Sequence, residues 1–371
     1  MRIMRTFVLL CICLLLSFSS VAAQDTLNVK LQGRWAYGPS YAVKISCSYA
    51  YIGDGGYLQL IATAGLTETG KIALPEPLKA VDVANIGGTD YAFVADGAHG
   101  LRIIDVSTPA TPVEVGSYDT PGSAMDVIVD ATLELAFIAD GLEGLIVIDV
   151  STPASPTFEG NYATGGEACG VAYWNDGIDD LLVLTYKDYD VVNNNVVRTF
   201  NVSDPANIIQ QDIFYSVDRP MDVFFGDYGA NEYAFIADSS GLRILDVTDP
   251  ANIAQTGYIL TEGTARNVVV DVANLYAYVA DYGNDDGFQI IDVVAPATPA
   301  RHDSMNTVTT AWAVDVDVAN ANAYVSDGLN GFKEIDIQNV AIPNPLAPTT
   351  VMDYGLIRDV TVLGNFAYVA D

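Results

Sequence analysis

The chain reads as an all-β protein, a β-propeller of four-stranded antiparallel blades, and three observations lead there. The first is near-identity between segments. Residues 135–162, LAFIADGLEGLIVIDVSTPASPTFEGNY, almost copy residues 91–118, YAFVADGAHGLRIIDVSTPATPVEVGSY, and variants recur at 233–258, 276–303 and 323–340. The second is the period. The Asp closing each A-[FY]-[VI]-A-D run (Asp54, Asp96, Asp140, Asp238, Asp281, Asp327 and Asp371) recurs at intervals of about 42–46 residues, with one double interval between Asp140 and Asp238. The third is strand character. The two central segments of each unit are continuous apolar runs, as in strands covered on both faces, and Ala92, Ala136, Ala234 and Ala277 permit close sheet-to-sheet approach.

Each unit divides into four strands, a to d. In the best-formed unit, strand a is MDVIVD (125–130), b is ELAFIAD (134–140), c is GLIVIDV (144–150) and d is TFEGNYA (157–163). Asp96-Gly97, Asp140-Gly141 and Asp327-Gly328 signal tight b–c turns. Pro109, Pro153, Pro205, Pro250 and Pro296 mark the c–d turns, where a strand interior would not tolerate them. A parallel β-helix is the competing repeat fold, but its coil is shorter and needs no Pro-marked hairpin in every unit.

Along the chain, MRIMRTFVLLCICLLLSFSSVAAQ has the basic start, apolar centre and small-residue end of a secretory leader, with cleavage expected after Ala23. Residues 24–371 then form one propeller domain with repeats of about 42–52 residues. Residues 27–38, LNVKLQGRWAYG, resemble a lone strand d. Complete units start near residues 42, 79, 124, 168, 220, 265 and 312, the fourth divergent and carrying an Asn-rich insertion at 190–200. Residues 357–371 form an a–b hairpin. The two end pieces complement each other, predicting eight blades, the last built from both ends and short of strand c, as in a truncated chain; seven blades is the alternative.

The formal net charge is −31, and losing Arg2 and Arg5 with the leader makes it two charges more negative. Such a surface repels nucleic acid and anionic lipid, so neither is expected as a partner. No second apolar stretch is long enough to span a membrane. The expected address is secreted, periplasmic or cell-surface, and the expected state is a monomer. Beyond the leader only Cys47 and Cys169 remain, on strand a of different units, and they read as separate buried thiols.

Three acidic rows recur. One is the b–c marker row. A second ends strand c: Asp105, Asp149, Asp246, Asp292 and Asp336, with Asn201 in the fourth unit. A third opens strand a in a D-V-x-V pattern: Asp82, Asp126, Asp222, Asp315 and Asp359, with Asn267 replacing one. Strand a is innermost in a blade, so this third row is expected to ring one mouth of the central channel. There it would either bond backbone N–H groups between blades or hold a hard cation such as Ca²⁺. The spacing lacks the dense acidic run of a dedicated calcium loop, and no other cofactor is indicated. Arg219 and Arg266 stand just before strand a as candidate ligand contacts. His99 and His302 fall in turns or blade edges, and no nucleophile elbow, H-E-x-x-H or phosphate loop is present.

The run G-L-I-V-I-D-V-S-x-P-x-x-P at 144–156, with GLRIIDVSTPATP (100–112) and GLRILDVTDP (241–250), resembles the LVIVD repeat of bacterial and archaeal proteins. The resemblance implies a secreted or cell-surface propeller and transfers no catalytic residue. The function expected is a non-catalytic protein- or glycan-binding scaffold. The alternative is a cation-dependent hydrolase or lyase working at the third Asp row.

Overall fold

The computed structural model describes residues 43–46, 49–54, 56–62, 67–175, 180–188, 195–216, 218–283, 287–305, 311, 314–317, 322–326, 332–337, 344–345, 359–363 and 366–370. Among these described residues, apart from one 3-10 turn at Pro205–Asn207, every element is a β-strand. The strands form seven four-stranded antiparallel sheets, each a simple meander, and one two-stranded sheet. Their first strands are Val43–Ser46, Ala80–Ile86, Asp126–Asp130, Gly166–Asn175, Pro220–Asp227, Thr264–Asp271, Val314–Asp317 and Asp359–Leu363, which we number blades 1 to 8. Each first strand neighbours the next around the ring, and blade 8 touches both blade 7 and blade 1, so eight blades close a circle. Blade 8 shows strands a and b. The strand d expected at 27–38 and the leader expected at 1–23 lie outside the described residues.

Burial follows strand position. Strand b of blade 3, Leu135–Ala139, is buried throughout, whereas its strand d, Thr157–Tyr162, is mostly open to solvent. The b-strand alanines Ala92, Ala136, Ala234 and Ala277 have no exposed surface. They let neighbouring sheets approach, and the core is a series of inter-blade layers rather than one centre. In one such layer Phe93, Leu101 and Ile103 of blade 2 pack against Val127, Ala136, Ile146 and Ile148 of blade 3. Each interface therefore belongs to two consecutive repeats, which is why one repeat alone could not bury its apolar faces.

The rim shows why the unit repeats its glycine and proline. Strand d carries a β-bulge in each of blades 1 to 6, which bends the outer strand. Just beyond the bulge, Gly70, Gly116, Gly160 and Gly257 face the carbonyl oxygens of Pro109, Pro153, Pro205 and Pro296, each in the c–d turn of the following blade. A Cβ at these glycines would stand 2.2, 2.1, 1.9 and 1.9 Å from those oxygens. At the blade 4–5 seam Asp212 replaces the glycine, and Thr199 Oγ1 donates to Pro250 O at 2.7 Å while Ile253 N donates to Asp212 Oδ2 at 2.8 Å. All five Pro-marked turns thus dock on the preceding blade.

The Asp-Gly signals locate the b–c connections but not their length. Asp96 N donates to Gly100 O and Asp140 N to Gly144 O, so those loops are longer than two-residue hairpin turns, with Gly97, Gly100, Gly141 and Gly144 at positive φ. A two-residue turn occurs instead at Ser239-Ser240, between paired Asp238 and Gly241.

Gly160→Ala is expected to lower stability by about 2 kcal/mol or more, because its new methyl group meets a backbone carbonyl rather than a flexible side chain. A urea-unfolding midpoint equal to wild type would refute the docking account of the repeated glycine.

Candidate functional site

The channel row is not one ring. Asp126, Asp222, Asn267 and Asp359 pair with Ala139, Ala237, Ala280 and Ala370, the residue before the b–c marker. Asp82 and Asp315 pair with Phe93 and Tyr324, two residues further from that end. The expected single mouth ring therefore splits into two levels, roughly 7 Å apart along the strands. The cause is the a–b turn. Asp82 and Asp126 both precede their marker by the same spacing, but the a–b pairing of blade 2 closes at Ile86 with Thr89, and that of blade 3 at Asp130 with Leu135. The shorter turn slides strand a by two residues, which preserves the face and changes the level.

Three carboxylates of the row reach across a blade boundary, while Asp315 accepts Val316 N of its own strand at 2.8 Å. Asp82 Oδ2 accepts Val129 N at 2.9 Å, Asp126 Oδ2 accepts Val171 N at 3.0 Å, and Asp222 Oδ2 accepts Val268 N at 3.0 Å. Asn267 continues the series, its Oδ1 accepting Val314 N at 2.9 Å. Lys44 of blade 1 occupies the deeper level, paired with Tyr51, and its Nζ meets Asp82 Oδ1 at 2.7 Å. Sequence reasoning missed it, although the lysine stands in AVKIS where the neighbouring unit has its aspartate. Burial pushes the Asp126 carboxyl up to about 7 against two favourable N–H bonds, with Asp222 and Asp82 adding repulsion. Asp222 moves up for the same reason.

The marker row is also internal. Asp96, Asp140, Asp238 and Asp281 have no exposed surface. Asp140 accepts Thr120 Oγ1 at 2.6 Å and Gly122 N at 2.8 Å, and Asp281 accepts Thr261 Oγ1 and Gly263 N, tying each d–a crossover to strand b. Burial raises all four carboxyls, Asp96 to about 6. The row ending strand c caps its own turn: Asp105, Asp149, Asp246 and Asp292 accept the N–H two residues on, as does Asn201. Among the described residues, no three acid, His or Cys side chains converge so as to hold a metal ion. The side chains of Asp54 and Asp359, and all of Asp327, lie outside the described set.

Arg219 is exposed, with its backbone bonded to Ser239 on both sides. Arg266 is the bulge residue of its strand and lies over the Tyr282 ring at 4.7 Å. They belong to blades 5 and 6. Cys169, also a bulge residue, is a free thiol pushed up by burial, and Cys47 lies outside the described residues. His99 Nδ1 lies 3.9 Å from Glu76, and the His302 ring packs against Tyr276.

A further polar pattern escaped the sequence reading. The strand-c residue that follows the leading Leu or Phe and the second residue of strand d form a pair that permutes from blade to blade: Arg102 with Glu114, Arg243 with Gln255, and Gln289 with Arg301. The same two positions are Ile146 and Phe158 in blade 3. The visible signal was the polar letter inside GLRI, GLRI and GFQI, which is easily passed over in an apolar run.

This eight-bladed ring of short meanders, stitched by recurring acids and rim prolines, defines a repeat β-propeller. The LVIVD repeat model matches residues 38–61, 79–120, 121–164, 230–261, 262–307 and 354–371, and the chain belongs to the LVIVD repeat family. Blades 4 and 7 and the first strand of blade 5 fall outside the matched segments. No curated protein sequence matches the chain. Among solved structures, Saccharomyces cerevisiae Sqt1 is similar at TM-score 0.71 and 8% identity, covering 90% of this chain and 94% of that one. The Dos1 propeller follows at 0.66 and 12%, covering 89% and 88%, and a protein from Lactobacillus plantarum at 0.63 and 17%, covering 86% and 96%. At these identities the likeness establishes the propeller fold alone.

The raised carboxyls set a direction for pH. A carboxyl with a folded pKa above its ordinary 3.8 holds protons more tightly when folded. Its stabilising contribution is full below 3.8 and is lost as pH rises through about 6 for Asp96 and about 7 for Asp126. Urea midpoints are therefore expected to fall from pH 5 to pH 8, and a midpoint rising over that interval would contradict the assignment. Asp126→Asn, which keeps an acceptor for Val171 N as Asn267 does for Val314 N, is expected to flatten this slope and to match or exceed wild type at pH 8. Asp126→Ala, with that acceptor gone, is expected to lose about 1–3 kcal/mol at every pH.

Proposed function

We propose that the chain is a non-catalytic extracytoplasmic β-propeller, a monomer that binds a protein or glycan partner at the cell surface. The observation carrying this reading is the use of its acids. The recurring aspartates whose side chains are described make bonds within a blade or to the next, so they act as framework, and the variable loops are left for recognition. The leader supports the extracytoplasmic address, and the charge of −31 suits a solvated life outside the cytoplasm. The binding face is the one carrying the d–a and b–c loops. Leu142 in the b–c turn of blade 3 and Leu260 at the end of strand d in blade 5 stand there with 67% of their surface exposed. The metal-dependent alternative gains no support from the described side chains.

Expressed in a host with its first 23 residues, the chain is expected outside the cytoplasm with Gln24 at its N-terminus. Mass spectrometry finding residues 1–23 on a cytoplasmic product would overturn the address. The doubly substituted Leu142→Asp, Leu260→Asp chain is expected to bind envelope material at least tenfold more weakly, with an unchanged unfolding midpoint. Equal binding by both chains would move the partner to another face.

A further inference from the structure

In blades 2 and 5 the arginine on strand c is matched by acids of its own chain. Arg243 Nε donates to Asp238 Oδ2 at 2.9 Å, its Nη2 also lies 2.9 Å from that oxygen, Asp218 stands 3.3 Å away, and Gln255 accepts from Nη1. Arg102 has Asp96 at 3.7 Å and Glu114 at 3.1 Å. Blade 4 keeps the arginine, as Arg198, and replaces or redirects every acceptor. Leu184 lies opposite Arg198 as Ile236 lies opposite Arg243 and Val94 opposite Arg102. Tyr186 therefore stands at the position of Asp238 and Asp96. Gln210, in the place of Gln255 and Glu114, instead accepts the Tyr162 hydroxyl at 2.6 Å. Thr164, two residues before strand a as Asp218 is, offers its carbonyl to Nη2 at 3.4 Å.

What remains is a part-buried guanidinium with no acid paired to it among the described residues. It lies over two tyrosine rings, Tyr186 at 4.8 Å and Tyr162 at 5.6 Å. Those rings attract the cation through its face and accept none of its in-plane N–H groups. Among the described residues Arg198 Nε is buried and has no hydrogen-bond partner; Arg102 Nε also makes no hydrogen bond but has Asp96 Oδ2 at 3.7 Å, whereas Arg198 has no carboxylate beside it. A buried charge-bearing donor left unmatched costs far more than one that is paired, so this edge gains most from an incoming anion. The Nε–Nη2 edge is the one Asp238 fills at Arg243, and its fork matches a carboxylate.

We propose that Arg198, between Tyr162 and Tyr186, is an anion-binding subsite that takes a carboxylate from the ligand, replacing the one the other arginine blades draw from their own chain. This deepens the binding-scaffold reading and rests on it for the ligand's wider identity. The carboxylate's source is a protein's acidic side chain or a uronic sugar. The cation lies in a strongly acidic molecule, so binding depends on short-range pairing rather than on long-range attraction.

The test titrates the folded full chain, at constant ionic strength, with N-acetylglutamate and with galacturonate. N-acetylglutamine and galactose serve as uncharged matches. At least one carboxylate is expected to bind saturably and to raise Tm by about 2 °C, with its uncharged match inert. Whichever carboxylate binds identifies the source. Arg198→Gln is expected to weaken binding at least tenfold, as is Arg198→Lys, which keeps the charge and loses the fork. Tyr186→Asp restores the acid of the other blades and is also expected to compete the ligand away. The subsite is refuted if neither carboxylate binds, if the uncharged match binds equally, or if both Arg198 variants bind as wild type. Such a failure would leave envelope binding untouched, and a lack of envelope binding would leave this titration standing.

Discussion

The seam between consecutive blades carries this structure. A blade has two apolar faces and no independent core, so its stability lies in its neighbours, and the seams between blades 2 and 3, 3 and 4, and 5 and 6 are closed at both radii. At the hub an aspartate or asparagine of one innermost strand accepts an N–H from the next. At the rim a glycine clears space for a prolyl carbonyl of the following blade. Both contacts run in the same direction around the ring, each blade reaching for its successor. The repeat thus encodes a joint as well as a sheet, and the most recognisable letters of the motif are the parts of that joint.

That construction places acids where they are costly. Asp126, Asp222 and the marker carboxylates Asp96, Asp140, Asp238 and Asp281 are withdrawn from water, and their hydrogen-bond and ionic partners offset only part of the desolvation, so their pKa values rise. In a chain already carrying −31 the effect compounds with general repulsion. Lys44 relieves Asp82 at one seam and Asn267 removes a charge at another. The molecule trades some neutral-pH stability for directional, geometrically demanding seam contacts that apolar packing would not supply.

Most of the architecture was legible because it is written many times over. Repeat length, Pro-marked turns and doubly buried strands led to blades, and the end fragments led to eight of them. The acidic rows were legible as rows. Their levels were not, since equal Asp-to-marker spacings in blades 2 and 3 conceal a–b turns of different length. The arginine–acid pairs were missed because a single polar residue in GLRI looks tolerable within an apolar run, and its partner lies on the next strand beyond a bulge. Lys44 was hidden because its unit departs from the pattern that drew attention to the others. What failed to show was therefore what depends on pairing register, which periodicity does not carry.

The two-residue step between Asp82 and Asp126 bears on how such rings diversify. A change of two residues in the a–b turn keeps every side chain on its own face and moves the hub carboxylate by one pleat. A change of one residue would turn that carboxylate away from the channel and expose an apolar neighbour in its place. Turn length at the far end of a blade is thus a quantised adjustment of the channel lining that leaves the strand's apolar residues on their own face. Drift in these outlying turns can re-space the polar groups of the axis while every blade stays intact.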